Sequence, residues 1–205
     1  MISIPLFPLN TVFYPDGHLP LQVFEVRYLD MARKCLAGDL PFGVIALLQG
    51  SEVRKPEQQE TFAEVGSMAR IAAWTAPQPA LLQLVCRGGQ RFRILSSVRQ
   101  SNGLWLADVE LIAADIVLAI PPELQDVANA LGALIRSLQE RAIPFDHMPI
   151  EGPFRLDECG WVANRWCELL DLTQDQKQRL LEQPSPLLRL ELVQDLLILA
   201  GVIDS

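Results

Sequence analysis

Nucleophilic catalysis needs a hydroxyl or thiol held beside a base, and bases are scarce in this 205-residue chain. Its two histidines are His18 and His147. Asp16 and Ser3 lie near His18 in sequence, so a Ser-His-Asp arrangement can be drawn. Pro15-Asp16-Gly17-His18 is also a turn signature, however, and it assigns His18 to a surface turn. His147 sits in Phe145-Asp146-His147-Met148-Pro149, a loop pattern, and no G-x-S-x-G elbow occurs. A serine–lysine pair would have to draw on Lys34, Lys55 or Lys177. Lys55 and Lys177 fall in polar stretches, where nothing desolvates the ammonium and lowers its pKa toward that of a base.

Metal and cofactor chemistry fare no better. Cys35, Cys86, Cys159 and Cys167 include no CxxC pair, and two histidines are too few to complete a zinc set. The four cysteines read as buried free thiols, small hydrophobes in a reducing compartment. No G-x-x-x-x-G-K-[ST] loop is available to wrap phosphates, and Gly88-Gly89 belongs to no G-x-G-x-x-G before a helix. Asp157-Glu158 reads as the acidic start of a helix, where negative charge suits the macrodipole. No catalytic, cofactor-binding or metal-binding residue is assigned, and no enzymatic activity is expected.

Two patterns suit binding instead. In Gln90-Arg91-Phe92-Arg93-Ile94, a strand would turn Phe92 and Ile94 to one side and Arg91 and Arg93 to the other. The two guanidinium groups would then line a surface able to hold carboxylates, or simply face water. In Phe24-Glu25-Val26-Arg27-Tyr28, Glu25 suits a helix start, and Arg27 with Tyr28 are placed to line a cleft beside the β-rich part. Arg27, Tyr28, Arg91 and Arg93 are therefore the candidate partner-binding residues.

Charge narrows the partner. The first 115 residues carry a net −1 and the remainder −7, which together make −8. An acidic chain repels phosphate backbones, so nucleic acid is not expected, although Arg87, Arg91, Arg93 and Arg99 form a local basic cluster. No basic segment leads into an apolar signal-like run, and no run approaches the roughly 18 apolar residues of a membrane span. A cytoplasmic location without membrane contact is expected.

The elements that must carry these residues change period near Asp115. Before it, one helix, Glu25 to Leu36, is stopped by Gly38. Strands are expected at Phe42–Leu48, Ala63–Trp74, Leu81–Cys86, Gln90–Ser97 and Leu104–Ile112, with a surface loop over Gln49–Thr61. Arg87-Gly88-Gly89-Gln90 and Asn102-Gly103 read as hairpin turns. Four prolines (Pro5, Pro8, Pro15, Pro20) lie in the first twenty residues and forbid both a helix and a fully paired central strand. The opening is expected to be an extended sheet edge, as is Pro77-Gln78-Pro79.

After Asp115 the apolar spacing becomes helical. Pro121-Pro122 opens a helix with Leu124, Val127, Leu131, Ile135 and Leu138 in one stripe. A loop from Ile143 to Phe154 and a helix from Glu158 to Leu170 follow. Thr173-Gln174-Asp175-Gln176 forms a capping box, and Ser185-Pro186 opens the last helix, which Gly201 ends.

The words Ile4-Pro5-Leu6-Phe7-Pro8-Leu9-Asn10-Thr11-Val12, Leu19-Pro20-Leu21 and Phe24-Glu25-Val26-Arg27-Tyr28 stand in order. Phe42-Gly43-Val44, Val65-Gly66-Ser67-Met68-Ala69-Arg70-Ile71 and Gly89-Gln90-Arg91-Phe92-Arg93-Ile94 follow them. In that order and spacing the chain resembles the N-terminal domain of the Lon protease family over about its first 115 residues. Trp161 to Leu190 resembles the helical part of the same domain more loosely. The resemblance implies an α+β fold: a β-rich, PUA-like barrel or sandwich over 1–115, then a helical bundle over 116–205. It also implies a free-standing, non-catalytic protein- or peptide-binding module, lacking the ATPase and protease modules. Its expected partner is a polypeptide or protease substrate, and its expected role is that of an adaptor or regulator in proteolysis. One alternative is a small-molecule or enzymatic site in a cleft between the subdomains. Another is RNA binding through a PUA-like fold.

Overall fold

The computed structural model describes residues 1–52, 60–141 and 149–204, which fall into two units, Met1–Ala114 and Asp115–Ser205. The first is β-rich: β1 (Ile2–Leu9), β2 (His18–Val23), β3 (Phe42–Gln49), β4 (Thr61–Phe62), β5 (Val65–Gln78), β6 (Leu81–Arg99) and β7 (Trp105–Leu111). One helix, α1 (Val26–Gly38), interrupts them. The second unit has a 3-10 turn (Pro122–Leu124), then α2 (Gln125–Glu140), α3 (Cys159–Leu169), α4 (Gln174–Glu182) and α5 (Pro186–Leu199). The α+β class expected from the change of period is the class observed. His147 and Lys55 lie outside the described residues, as do parts of the loops expected over Gln49–Thr61 and Ile143–Phe154.

In the first unit β1, β7, β6, β5 and β3 pair in that order, and β3 returns to β1, closing the sheet into a barrel. The β1–β3 ladder is parallel, so no hairpin can join the two strands, and β2 with α1 makes the crossover. The proline-rich opening is thus not an edge. β1 pairs antiparallel with β7 over Ile2–Leu6 and parallel with β3 over Leu6–Leu9. The two ladders overlap only at Leu6, so Pro5 and Pro8 each lie where one ladder is present and the other absent. That handover is how a strand with two prolines sits inside a closed sheet. Pro20 is in β2, which pairs only with β6 among the described residues.

Arg87-Gly88-Gly89-Gln90 is not a hairpin turn; β6 runs unbroken through it, and the turn lies between Gln78 and Leu81. Gly88 marks a backbone crossing. Its N–H donates to the Gly17 carbonyl at 2.9 Å, and its own carbonyl accepts from the Asp16 N–H at 2.9 Å. A Cβ at position 88 would stand 2.0 Å from the Tyr14 carbonyl oxygen, so only glycine lets the strand pass the Tyr14–Gly17 turn. Asn102-Gly103 does connect β6 to β7, as expected. Strand β5 is shifted from the expected Ala63–Trp74 to Val65–Gln78, and it takes in Pro77 at its exposed end.

Helix α1 runs two residues beyond its expected end. Gly38 is its last residue, and Asp39 takes the left-handed conformation at φ 48° that stops it. The helix shares one apolar core with the strands: Tyr28, Leu29, Met31, Ala32 and Cys35 join Leu21, Val23, Leu82, Leu84 and Cys86. Each large side chain buried there contributes on the order of 2 kcal/mol. Inside the barrel, the Phe92 ring fills the space beside Gly43 and Gly66, and a Cβ on either would come within 2.8 Å of it.

The second unit is built around α3, where Trp161, Val162, Ala163 and Trp166 are all buried. The Trp166 indole donates to the Val127 carbonyl of α2 at 3.0 Å. Both halves of the Thr173–Gln176 capping box are formed, and Ser185 Oγ accepts from the Leu188 N–H at 3.2 Å. Arg189, only 1% exposed, pairs with Asp115 at 2.6 Å and donates to Asn164 Oδ1 and the Leu180 carbonyl. Its charge is matched and its donors are used, as burial of a guanidinium demands.

Candidate functional site

The first turn of α1 places Arg27 and Tyr28 in the interior of the β-rich unit, both 4% exposed. The Arg27 guanidinium donates to the Gly103 carbonyl at 2.8 Å and faces the carboxylates of Glu25 at 3.2 Å and Glu60 at 3.7 Å. It lies 4.4 Å from the centre of the Tyr28 ring, which stacks on Phe7 at 4.1 Å. Glu25 makes no side-chain cap to the helix; it serves Arg27 instead.

Glu60 gathers the rest. Its carboxylate is reached by Arg99 at 3.8 Å and accepts from the Trp105 indole at 2.6 Å. Phe62 packs edge-on against Trp105, with ring centres 5.3 Å apart. The cluster joins the start of α1, the β6–β7 turn and the residue before β4. Burial, only partly offset by the neighbouring Arg27, holds the Tyr28 phenol well above its ordinary range. Tyr28 therefore keeps its proton and offers no base. Burial likewise pushes the Cys86 thiol up to about 12 and raises Cys35 and Cys159. All four cysteines are buried and free, and thiols so held make poor nucleophiles.

The second candidate pair is divided. Arg91 is buried at 5% exposure, whereas Arg93 is exposed and faces Glu64 at 3.6 Å. The two differ in burial, and the chain leaving β7 continues alongside Arg91. The Ile112 N–H donates to the Arg91 carbonyl at 2.9 Å, and Gln90 Nε2 donates to the Ile112 carbonyl at 2.7 Å. His18 is not in the turn itself; it begins β2 opposite Arg87.

Beside the Arg27 cluster opens a hollow of about 460 Å3, bounded by β1, one face of α1 and the β6–β7 turn. Ile4, Met31, Cys35, Leu104 and Leu106 supply apolar lining, with Arg27 also in the wall. Ser3, Asp30, Lys34, Gln100 and Asn102 line it too and are exposed, as are Ile2 and Leu40. A smaller hollow of about 270 Å3 lies along β2, lined by Phe7, Leu21, Phe24 and Tyr28. Among the described residues, no three His, Cys, Asp or Glu side chains converge in a way that could hold a metal ion. Among the same residues, no helix is long and apolar enough to cross a membrane.

Glu60 and Trp105 carry no assignment in the sequence analysis, and Lys34 enters there only as one of three lysines for a serine–lysine pair. Glu60 closes a polar stretch and looks like any loop acid. The only hint is Trp105, whose indole needs an acceptor once it is buried in a strand.

Comparison with known proteins agrees with this architecture. The chain is 26% identical over 195 residues to the Lon protease of Anaeromyxobacter dehalogenans, a match covering 95% of this chain and 23% of that protein. It is 32% identical over 113 residues to protein cereblon of Gallus gallus, covering 53% of this chain and 24% of cereblon. The chain spans about a quarter of the length of these relatives. Among solved structures, it is similar to the Lon N-terminal domain protein from Xanthomonas campestris, at 31% identity and TM-score 0.73, with 95% and 98% of the two chains covered. The N-terminal domain of the Mycobacterium avium complex Lon protease shares the fold at 18% identity and TM-score 0.58, over 95% and 97% of the chains. The family model that matches residues 3–198 describes a substrate-binding domain and no catalytic module. On that match, the chain belongs to the family of the ATP-dependent protease La (LON) substrate-binding domain.

Proposed function

We propose that this chain is a non-catalytic recognition module that binds polypeptide segments and serves as an adaptor or regulator in proteolysis. The observation that carries the reading is the hollow beside α1, about 460 Å3 in volume. Its floor is apolar, and its exposed polar groups are hydroxyl, amide, carboxylate and ammonium side chains. Such a lining suits adhesion to a chain with apolar and polar groups. Membership of a family described as substrate-binding supports polypeptide as the ligand class.

Fluorescence anisotropy with a labelled, permanently unfolded polypeptide tests the reading. Saturable binding is expected, with none to the same polypeptide in its folded form. Ile2→Asp and Leu40→Asp, at exposed positions around the hollow, should weaken it by about tenfold, the loss expected when an apolar contact is replaced by a desolvated charge. A flat titration with the unfolded polypeptide would remove the proposal.

A further inference from the structure

The charge pattern around the same hollow reports which polypeptide segments it takes. Helix α1 turns Arg27, Asp30, Met31, Lys34 and Cys35 toward it, the i, i+3, i+4 spacing of one helical face. Of the three charged groups, two are occupied. Arg27 is held by Gly103, Glu25 and Glu60, and Asp30 faces Arg33 at 3.5 Å. Lys34 is exposed and has no ion-pair partner among the described residues. Among the described residues, the apolar floor thus carries at its edge one ammonium outside any ion pair, with the Asp30 carboxylate a turn away facing Arg33 and the hydrogen-bonding side chains of Ser3, Gln100 and Asn102 around it.

An ammonium in that position favours a carboxylate over a neutral or cationic neighbour. The amide and hydroxyl groups around it suit the N–H and C=O of a peptide, which a simple hydrocarbon chain would leave unused. We infer that the hollow selects polypeptide segments in which an apolar side chain is followed closely by a carboxylate, the side chain entering the pocket and the carboxylate resting on Lys34. The inference rests on the polypeptide-recognition reading above and adds the chemistry of the ligand. The carboxylate can be an Asp or Glu side chain or the end of a chain, and the test separates the two.

Three short peptides share a leucine–phenylalanine anchor. One carries a following glutamate and an amidated end, one replaces the glutamate with glutamine, and one ends in a free carboxylate just after the anchor. Anisotropy titrations with the full chain are expected to rank the glutamate or free-acid peptide about fivefold tighter than the glutamine peptide, the worth of one exposed ion pair. Lys34→Glu should abolish the preference, Lys34→Arg should keep it, and added salt should erode it only for the acidic peptides. Which acidic peptide prevails identifies the carboxylate. Ser3→Trp, at an exposed lining position, should weaken all three; unchanged binding there would place the site elsewhere and overturn the inference. Equal affinity for acidic and neutral peptides also overturns it, while leaving polypeptide recognition standing. Failure of every peptide, and of the unfolded polypeptide, removes both.

Discussion

Glu60 shows how much can depend on one acid in a place that looks like loop. Its side chain is 5% exposed, and it meets two arginines, one of them Arg27 at 3% exposure, as well as the Trp105 indole. Replacing it with Gln keeps the shape and removes the charge, leaving Arg27 with Glu25 alone. Breaking a buried pair from one side costs roughly 3 kcal/mol, so Glu60→Gln should lower the urea midpoint clearly, whereas Glu64→Gln, at an exposed pair, should barely move it. Burial also acts on two weak acids that titrate at high pH. Cys86 is raised from 9.0 to about 12, and Tyr28 is raised above its ordinary 10.0. As pH climbs past the unfolded values, the unfolded chain loses these protons while the native state keeps them, so stability is full below about 9 and falls toward 12. Urea midpoints should drop between about pH 8 and about pH 10, and drop less in Cys86→Ala; an equal drop would contradict the assignment. Sequence pointed to Arg27 and Tyr28 because they open a helix after an extended apolar stretch. It could not show that their partners are Gly103 and Glu60, because those contacts are made by chain closure and leave no local pattern.

Elements were legible where their signals are local and unclear where a glycine or proline has two meanings. The Thr173–Gln176 box and the Ser185-Pro186 start depend on neighbours within four residues, and both formed as expected. Thr173→Ala should cost about 1 kcal/mol, measurable as a small fall in melting temperature. Gly88-Gly89, by contrast, satisfies a hairpin rule, yet it serves a crossing by a turn more than seventy residues upstream. Paired substitutions separate the two roles. Gly88→Ala puts a Cβ 2.0 Å from the Tyr14 carbonyl oxygen and should cost roughly 3 kcal/mol or more by overpacking against backbone. At position 89 the nearest atom would be Met68 Cβ at 3.4 Å, and Gly89→Ala should be close to neutral. A hairpin would make both changes harmful, so thermal melts of the two variants distinguish the readings. The proline opening was misjudged for a related reason: local rules state what a proline lacks, but not that a strand can change partner at Leu6.

At the scale of the molecule, the α+β class was readable from the change in period near Asp115. Barrel closure was not, since it depends on β3 returning to β1. The net charge of −8 leads to a further expectation: a filter-binding titration with single-stranded RNA at low salt should stay flat, and a saturable curve that weakens with salt would contradict it. The family match supplies a reading at this scale that no single residue carries, because the words that spell it are spread from Ile4 to Ile94. The partner change in β1 also sets an order of events. Ile2–Leu6 cannot be secured against β7 until Trp105–Val109 has been synthesised, so this apolar stretch must wait for nearly all the rest of its unit. Closure across such a separation in sequence is slow, and an apolar segment waiting in the cell is open to pairing with a neighbouring nascent chain. Pro5 and Pro8 each withhold a backbone donor from such mispairing, while the finished barrel accommodates both where only one ladder runs.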